Sequence, residues 1–331
     1  MGRKSAGSRS SLRRRPLPDI VKRLAWLAVA VAAAANATVF ELPGDEARLL
    51  GREERVITAY EDTLYDIARR FSLGSEEMVR VNPGMDPWVP GAGKSIVIPG
   101  QRVLPPGPRD GIVVNLPEHR LYYYPPTKKG ETQRVYTWPI SIGKMDWRTP
   151  LGATKITDKR EKPTWYPPAS VRAEHSARGE FLPAAVPPGP DNPLGAHAMR
   201  LGLPGGAYLI HGTNNPRAVG MAVTHGCIRM YPEDIAELFP MVKVGTPVYL
   251  INEPVKVAFV DGELLLEVHP PVDAQGQTTT FDLTVFEDRL EEILGDSTVA
   301  IHWDKARAVL AAARGMPAVV GLVADLTVSV P

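Results

Sequence analysis

The chain has 331 residues, 44% of them apolar and 23% charged, and a formal net charge of +1. That length suits two or three domains, the composition is that of a soluble globular protein, and the near-neutral charge argues against nucleic acid as a partner. Its 33 prolines, about twice the usual share, cluster outside the strand-like runs and favour a loop-rich, mainly β protein over a helical bundle.

Arg3, Lys4, Arg9, Arg13, Arg14, Arg15, Lys22 and Arg23 precede an apolar run from Leu24 to Ala35, which closes in Ala35-Asn36-Ala37. A basic segment, a short apolar core and a small-x-small triplet make up a secretory signal, so residues 1–37 are expected to direct export, with an uncleaved membrane anchor as the alternative. Residues 38–55 read as a polar linker. Over residues 56–100 the pattern tightens. Val56–Tyr60 reads as a strand, Glu61-Asp62-Thr63 as a turn and helix cap, and Leu64, Ile67, Ala68 and Phe71 recur at helical spacing. A second helix is predicted over Ser75–Val81, ended by Asn82-Pro83-Gly84, and Ser95–Pro99 supplies another strand. This β-α-α-β order resembles the LysM domain, notably in Asp62–Ala68, Val81–Gly84 and Ile96–Pro99. The resemblance implies binding to the N-acetylglucosamine-containing glycan of peptidoglycan.

Residues 101–110, with Val103-Leu104-Pro105-Pro106-Gly107-Pro108, read as a proline-rich, semi-rigid hinge. Over residues 111–252, strands are predicted at Gly111–Leu116, Arg120–Tyr124, Arg134–Ile142, Thr154–Thr157, Ala196–Leu201, Ala207–Ile210 and Pro247–Asn252. Short β runs separated by Gly and Pro turns indicate a sandwich or barrel-like sheet. The segment from Asp158 to Gly195, rich in Pro and carrying Trp165, Tyr166 and Phe181, breaks that rhythm and reads as a lid over a groove. Residues 253–331 form an α/β accessory region: a hairpin about Asp261-Gly262, then amphipathic helices at Phe281–Leu294 and Trp303–Arg314. His269 and His302 lie there without a chemical motif and read as surface or packing residues.

Cys227 is the one cysteine, within Thr224-His225-Gly226-Cys227-Ile228-Arg229, and a His211-Gly212 pair stands upstream. One thiol bracketed by histidines reads as a nucleophile with candidate bases, because an ordinary thiol is only a few per cent thiolate at neutral pH. His225, two residues before Cys227, shares its face in an extended segment; His211, ending an apolar strand, can face it from a neighbouring one. Spacing leaves both open as the base. Gly226 leaves room for backbone N–H groups to hold an oxyanion, and Arg229 suits a substrate carboxylate. No metal is expected, since a zinc site needs three or four ligands and no Cys-x-x-Cys or His-Glu-x-x-His is present.

His211-Gly212-Thr213 followed by Thr224–Arg229 resembles the signature of the L,D-transpeptidase (YkuD-type) catalytic domain. Ser141-Ile142-Gly143-Lys144, Thr149-Pro150-Leu151-Gly152 and Val244-Gly245-Thr246-Pro247-Val248 fit the same family in order. The resemblance implies a mainly β catalytic fold, no cofactor and a periplasmic location. It implies Cys227 as the acylated nucleophile and His211 as general base, oriented by the backbone carbonyl at Gly212. His225 falls at a site position that varies, and Arg229, Gly226 and Thr224 fall beside the substrate. The implied reaction attacks the diaminopimelate–D-Ala bond of tetrapeptide stems. The acceptor is a second diaminopimelate, giving 3-3 crosslinks, or a lysine of an outer-membrane lipoprotein, or water. A wall-binding scaffold without catalysis is the rival class.

Overall fold

Gly111–Asn115 and Arg120–Tyr124 pair antiparallel, from Gly111 opposite Tyr124 to Asn115 opposite Arg120, and their side chains alternate between two buried faces. On one face Ile112, Val114, Leu121 and Tyr123 join the main apolar cluster with Trp138, Met199 and Ile210. On the other, Val113, Tyr122 and Tyr124 pack with Leu42, Leu50, Leu104 and Val135. Strands covered on both sides read as continuous apolar runs, which is why this hairpin is plain in the sequence.

In the computed structural model the hairpin lies within a nine-stranded mixed sheet. Its order is Val39–Leu42, Gln133–Pro139, Arg120–Tyr124, Gly111–Asn115, Pro247–Ile251, Gly152–Glu161, His197–Leu201, Leu209–His211 and Ile228–Arg229. Two pairings are parallel: Pro247–Ile251 beside Gly111–Asn115, and Leu209–His211 beside Ile228–Arg229. Helix Pro232–Met241 lays Ile235, Leu238 and Phe239 on the main cluster. The structure describes Gly2 and residues 39–44, 48–143, 149–204, 208–271, 281–294 and 299–323. The expected signal over 1–37 thus lies outside the described residues, Gly2 excepted, as does Lys144. Residues 37–331 belong to one compact unit. Among the described residues no helix is long and apolar enough to cross a membrane.

The stretch 38–55 differs from the expected linker. Val39–Leu42 adds an edge strand to Gln133–Pro139, and Leu49–Leu50 pairs with Arg102–Val103. Leu42 and Leu50 are buried, so these short apolar runs are held by burial against residues more than fifty positions away. The expected hinge over 101–110 is likewise anchored at its start. Val103 and Leu104 are buried, Val103 N–H donates to Glu267 at 2.5 Å, and its carbonyl accepts from Lys256 Nζ at 2.6 Å.

Glu54–Ile57 and Ser95–Ile98 form an antiparallel pair beneath helices Leu64–Arg70 and Ser75–Val81. Thr63 caps the first helix, its Oγ1 accepting from Asp66 N at 3.0 Å. Leu64, Ile67, Ala68, Met78 and Ile96 fill the small core. This helical module is seated firmly on the large sheet. Glu77 reaches Arg120 of the central hairpin at 2.9 Å and Arg102 at 3.5 Å, with all three side chains largely buried. Ser75 N–H donates to Val219 O, Ser75 Oγ to Arg217 O, and Tyr231 OH to Leu73 O.

Toward the C-terminus, Val255–Val260 and Glu263–Val268 form the expected hairpin, with Asp261 and Gly262 at φ 50° and 82° as a tight two-residue turn requires. Val299–Ile301 and Ala318–Val323, not foreseen as strands, complete a four-stranded sheet, and helices Leu283–Leu294 and Trp303–Ala312 pack on it through Phe286, Leu290, Ala306 and Leu310. A buried polar network ties this sheet to the central hairpin. Lys256 Nζ bridges Glu118 at 3.0 Å and Glu267 at 2.8 Å, and Tyr122 OH donates to Glu118. Burial pushes the Glu118 carboxyl up, but the surrounding positive charges, Lys256 foremost with Arg102 and Arg120, together outweigh it and hold the carboxyl at about 2. His269, expected as a surface or packing residue, is buried with Nε2 2.6 Å from Glu267.

Candidate active site

Ile210, Ile228 and Met230 point into the main cluster. The residues alternating with them, His211 and Arg229, therefore take the opposite face of the parallel pair, where they stand directly across from each other. Cys227 precedes Arg229 by two positions and begins the same extended run. The Arg229 charge acts on both His211 and Cys227, which brings the three into one cluster.

His211 is buried, and its Nδ1 lies 2.6 Å from the carbonyl oxygen of Gly212. With Nδ1 protonated it donates to that oxygen, and Nε2 carries the free lone pair. Burial, and then the Arg229 guanidinium, lower its pKa to about 3 against the opposing pull of the Gly212 bond, so the ring is neutral at physiological pH. A Cβ on Gly212 would meet Ile235 Cγ2 at 3.2 Å and Leu194 O at 3.3 Å, so little more than glycine fits there.

Cys227 keeps partial solvent exposure. Burial of most of its surroundings pushes the thiol pKa up, opposed by a hydrogen bond with the Leu209 backbone and by Arg229. The resting site thus holds a neutral imidazole at His211 and a Cys227 thiol whose ionisation burial opposes. Arg229 is fixed through its backbone, which exchanges hydrogen bonds with Ser141 at 2.8 and 3.0 Å, and its Nε is buried without a hydrogen-bond partner.

The loop presenting the sulfur is rigidly built. Gly226 sits at φ +95°, a conformation that a side chain would strain. Its carbonyl accepts from Thr149 Oγ1 at 3.0 Å, and Thr224 Oγ1 donates to Cys227 O at 2.6 Å. Ala222–Thr224 runs parallel to Ile142–Gly143, so the separated segments around Ser141 and Thr149 converge on the thiol loop.

His225 is engaged differently: its Nε2 lies 2.7 Å from Glu174 Oε2. Glu174 belongs to helix Ala169–Ala177, inside the segment expected as a lid, and also pairs with Arg178 at 3.1 Å. That segment is ordered by a Trp165–Val186 bridge and by buried Asn192, whose amide donates to Pro163 O at 2.8 Å. This segment thus reaches the thiol loop through Glu174, which sequence reasoning missed. Its partner lies 51 positions away, and no local pattern marks it.

Among the described residues, the group of carboxylates and imidazoles close enough to share an ion is Glu118, Glu267 and His269, and it includes neither Cys227 nor His211. The Lys256 ammonium already bonds both carboxylates, so the donor set is spent on a fixed cation.

Comparison with known proteins bears on what this arrangement does. The family described as YkuD, the L,D-transpeptidase catalytic domain, matches residues 109–250. The chain is 46% identical to "Probable L,D-transpeptidase YcfS" of Escherichia coli over 249 residues, covering 74% of this chain and 77% of the relative. It is 43% identical to "Probable L,D-transpeptidase YbiS" of the same organism, covering 75% and 80%. A solved structure of the Enterococcus faecium L,D-transpeptidase catalytic domain acylated by ertapenem is 25% identical, with a TM-score of 0.31 over 44% of this chain and 100% of that one.

Proposed function

The chain belongs to the L,D-transpeptidase family, and we propose that it acts through a cysteine acyl-enzyme on the diaminopimelate–D-Ala bond of peptidoglycan tetrapeptide stems, forming 3-3 crosslinks. The observation that carries this reading is the His211 ring, buried, neutral and tied by Nδ1 to Gly212, one strand away from a partly open Cys227.

In the proposed cycle, His211 Nε2 accepts the Cys227 proton as the sulfur attacks the diaminopimelate carbonyl. The new imidazolium is held by its Nδ1–H···O=C bond to Gly212. Backbone N–H groups around Gly226 and Cys227 receive the oxyanion. Collapse breaks the amide bond, and the proton on His211 passes to the leaving D-Ala amine. An acceptor amine then loses its proton to His211, attacks the thioester and regenerates the thiol, so atoms and charges balance without a cofactor.

The low pKa of His211 sets a condition on this cycle. A neutral imidazole beside a cation is a weak base towards a thiol whose own pKa is raised. A substrate carboxylate that pairs with Arg229 would cancel the charge suppressing His211 and supply the unmet acceptor for Nε. Arg229 thereby joins substrate recognition to base activation. Thr224 and Gly226 hold the loop in shape, and His225, bonded to Glu174, positions the lid.

The helical module over residues 54–98 is proposed to bind the glycan, following its resemblance to LysM. Export through the N-terminal segment would place the enzyme in the periplasm, where its substrate lies and no nucleotide drives the reaction. Attachment of a lipoprotein lysine and hydrolysis by water share every step up to the thioester. Mass spectrometry of muramidase-digested sacculi, after incubation with the enzyme with and without lipoprotein, separates the three acceptors. Dimers linked through two diaminopimelates support crosslinking, and peptide-modified lipoprotein or tripeptides alone would replace it.

A further inference from the structure

We propose that the cleft between the helical module and the loop at residues 213–221 is a second binding site, for the neutral amino-sugar strand itself, holding it so that its peptide branches run towards Cys227. The inference rests on the reading of the substrate as peptidoglycan. It extends that reading by giving half of the glycan site to residues of the catalytic body.

Tyr65, on the first helix of the module, forms a wall of two adjoining cavities. One, of about 350 Å³, is lined by Asp66, Arg69, Asn215, Pro216 and Arg217. The other, of about 360 Å³, is lined by Ser75, Glu76, Val79, Arg80 and Met221. Each falls within the roughly 300–1,000 Å³ of sites that hold small organic ligands. Sharing one ring, they are two lobes of one cleft suited to consecutive units of a chain.

The lining chemistry fits a sugar. Tyr65 packs against Trp88 with ring centroids 4.6 Å apart, and Trp88 remains 52% exposed, with the Arg217 guanidinium 5.4 Å from its ring centre. Aromatic faces suit the C–H face of a pyranose, and Asn215 offers both donors and an acceptor for hydroxyl and acetamido groups. The cleft mixes polar and apolar lining, its second lobe mainly apolar, and its charges are largely paired. Arg69 pairs with Glu233 at 2.7 Å, Arg80 lies 4.0 Å from Glu76, and Asp66 and Arg217 both line the first lobe. A site for phosphate or for nucleic acid would carry a surplus of cations. This one favours a hydroxyl-rich neutral ligand.

The two walls cannot drift apart. A Cβ built on Gly220 would lie 2.4 Å from Gly74 Cα, so the two backbones meet directly beside the cleft. Ser75 bonds Val219 O at 2.9 Å and Arg217 O at 2.8 Å, fixing the module to the loop. Such preorganisation removes an ordering cost from binding. Met221, at the far lobe, leads into Ala222–Thr224 and stands six residues before Cys227. At no more than about 3.5 Å per residue, that path is at most about 20 Å, the range a three-residue stem and its lactyl link can bridge in good part.

The test is the full chain carrying Asn215→Ala and Arg217→Ala together, both exposed side chains that line the first lobe. Titration with an N-acetylglucosamine tetramer, followed by calorimetry, should show affinity at least tenfold weaker than wild type. On intact sacculi kcat/KM should fall about tenfold, while turnover of a glycan-free tetrapeptide stays within twofold. Unchanged tetramer affinity, no tetramer binding by the wild type, or equal loss on sacculi and free peptide would overturn the cleft. Should the wild type turn over neither donor, the transpeptidase reading itself fails, and the sugar titration still decides the cleft.

Discussion

Glu77 ties the helical module to Arg120 of the large sheet and Arg69 ties it to Glu233 of helix Pro232–Met241, and their surroundings assign the two contacts very different weights. Glu77 bonds Arg120 at 2.9 Å and faces Arg102 at 3.5 Å, with side chains only 11%, 2% and 6% exposed. It also accepts from Gly74 N at 3.1 Å. Burial pushes the Glu77 carboxyl up, but Arg120 and Arg102 more than offset this and hold it below the ordinary carboxylate range. Glu77→Gln leaves two buried guanidinium groups without their counter-charge, which costs about 3–5 kcal/mol. For a body of this size that corresponds to a fall in Tm on the order of 10 °C. Arg69–Glu233 has shorter contacts, 2.7 and 2.8 Å, but both side chains are over 40% exposed. Glu233→Gln is therefore expected to cost about 0–1 kcal/mol. Thermal melts and urea titrations of the two variants measure the contrast. A Glu77→Gln cost below about 1 kcal/mol, or equal costs at the two sites, would show that the module is not held by the buried triad.

Further outcomes follow from the same structure. His211→Ala should lower kcat/KM on a tetrapeptide donor by roughly 10²–10⁴, whereas His225→Ala, which loses the Glu174 contact, should cost about tenfold or less; steady-state kinetics would refute the assignment by showing the reverse order. His119 is mostly covered in the turn of the central hairpin, with Nδ1 2.8 Å from Gly220 O and a pKa lowered to about 4, chiefly by desolvation. The unfolded chain takes up its proton near pH 6.5 and the folded one does not until about pH 4, so stability present above pH 6.5 is lost as pH falls across that window. The shift corresponds to about 3 kcal/mol. His119→Asn, a residue suited to the φ of 52° there, should flatten the loss of stability between pH 6.5 and 4, and an unchanged acid limb would count against the assignment.

Much of this was legible in the chain itself. The central hairpin, the two module helices and the Val255–Val268 hairpin announce themselves through local periodicity and turn residues, and the structure follows them closely. What stayed hidden depends on partners distant in sequence. Val39–Leu42 is four residues long and is a strand because Gln133–Pro139 lies beside it, so its composition reads as linker. Val299–Ile301 and Ala318–Val323 are short and pair with each other across an intervening helix. Glu174 looks like any surface acid on a helix that buries only Val171, until its carboxylate meets His225. The thiol motif could be read from its own spacing. That His211 faces Arg229 comes from the parallel register of two strands 18 positions apart, which no local pattern encodes.

The central claim, that Cys227 carries the acyl group, is tested most directly by intact-protein mass spectrometry of the enzyme incubated with a tetrapeptide stem and quenched in acid, followed by peptide mapping. The account predicts an added stem-tripeptide mass confined to the peptide containing Cys227, released D-Ala in the medium, and neither in Cys227→Ala. D-Ala release by Cys227→Ala, or an adduct on any other residue, would contradict it.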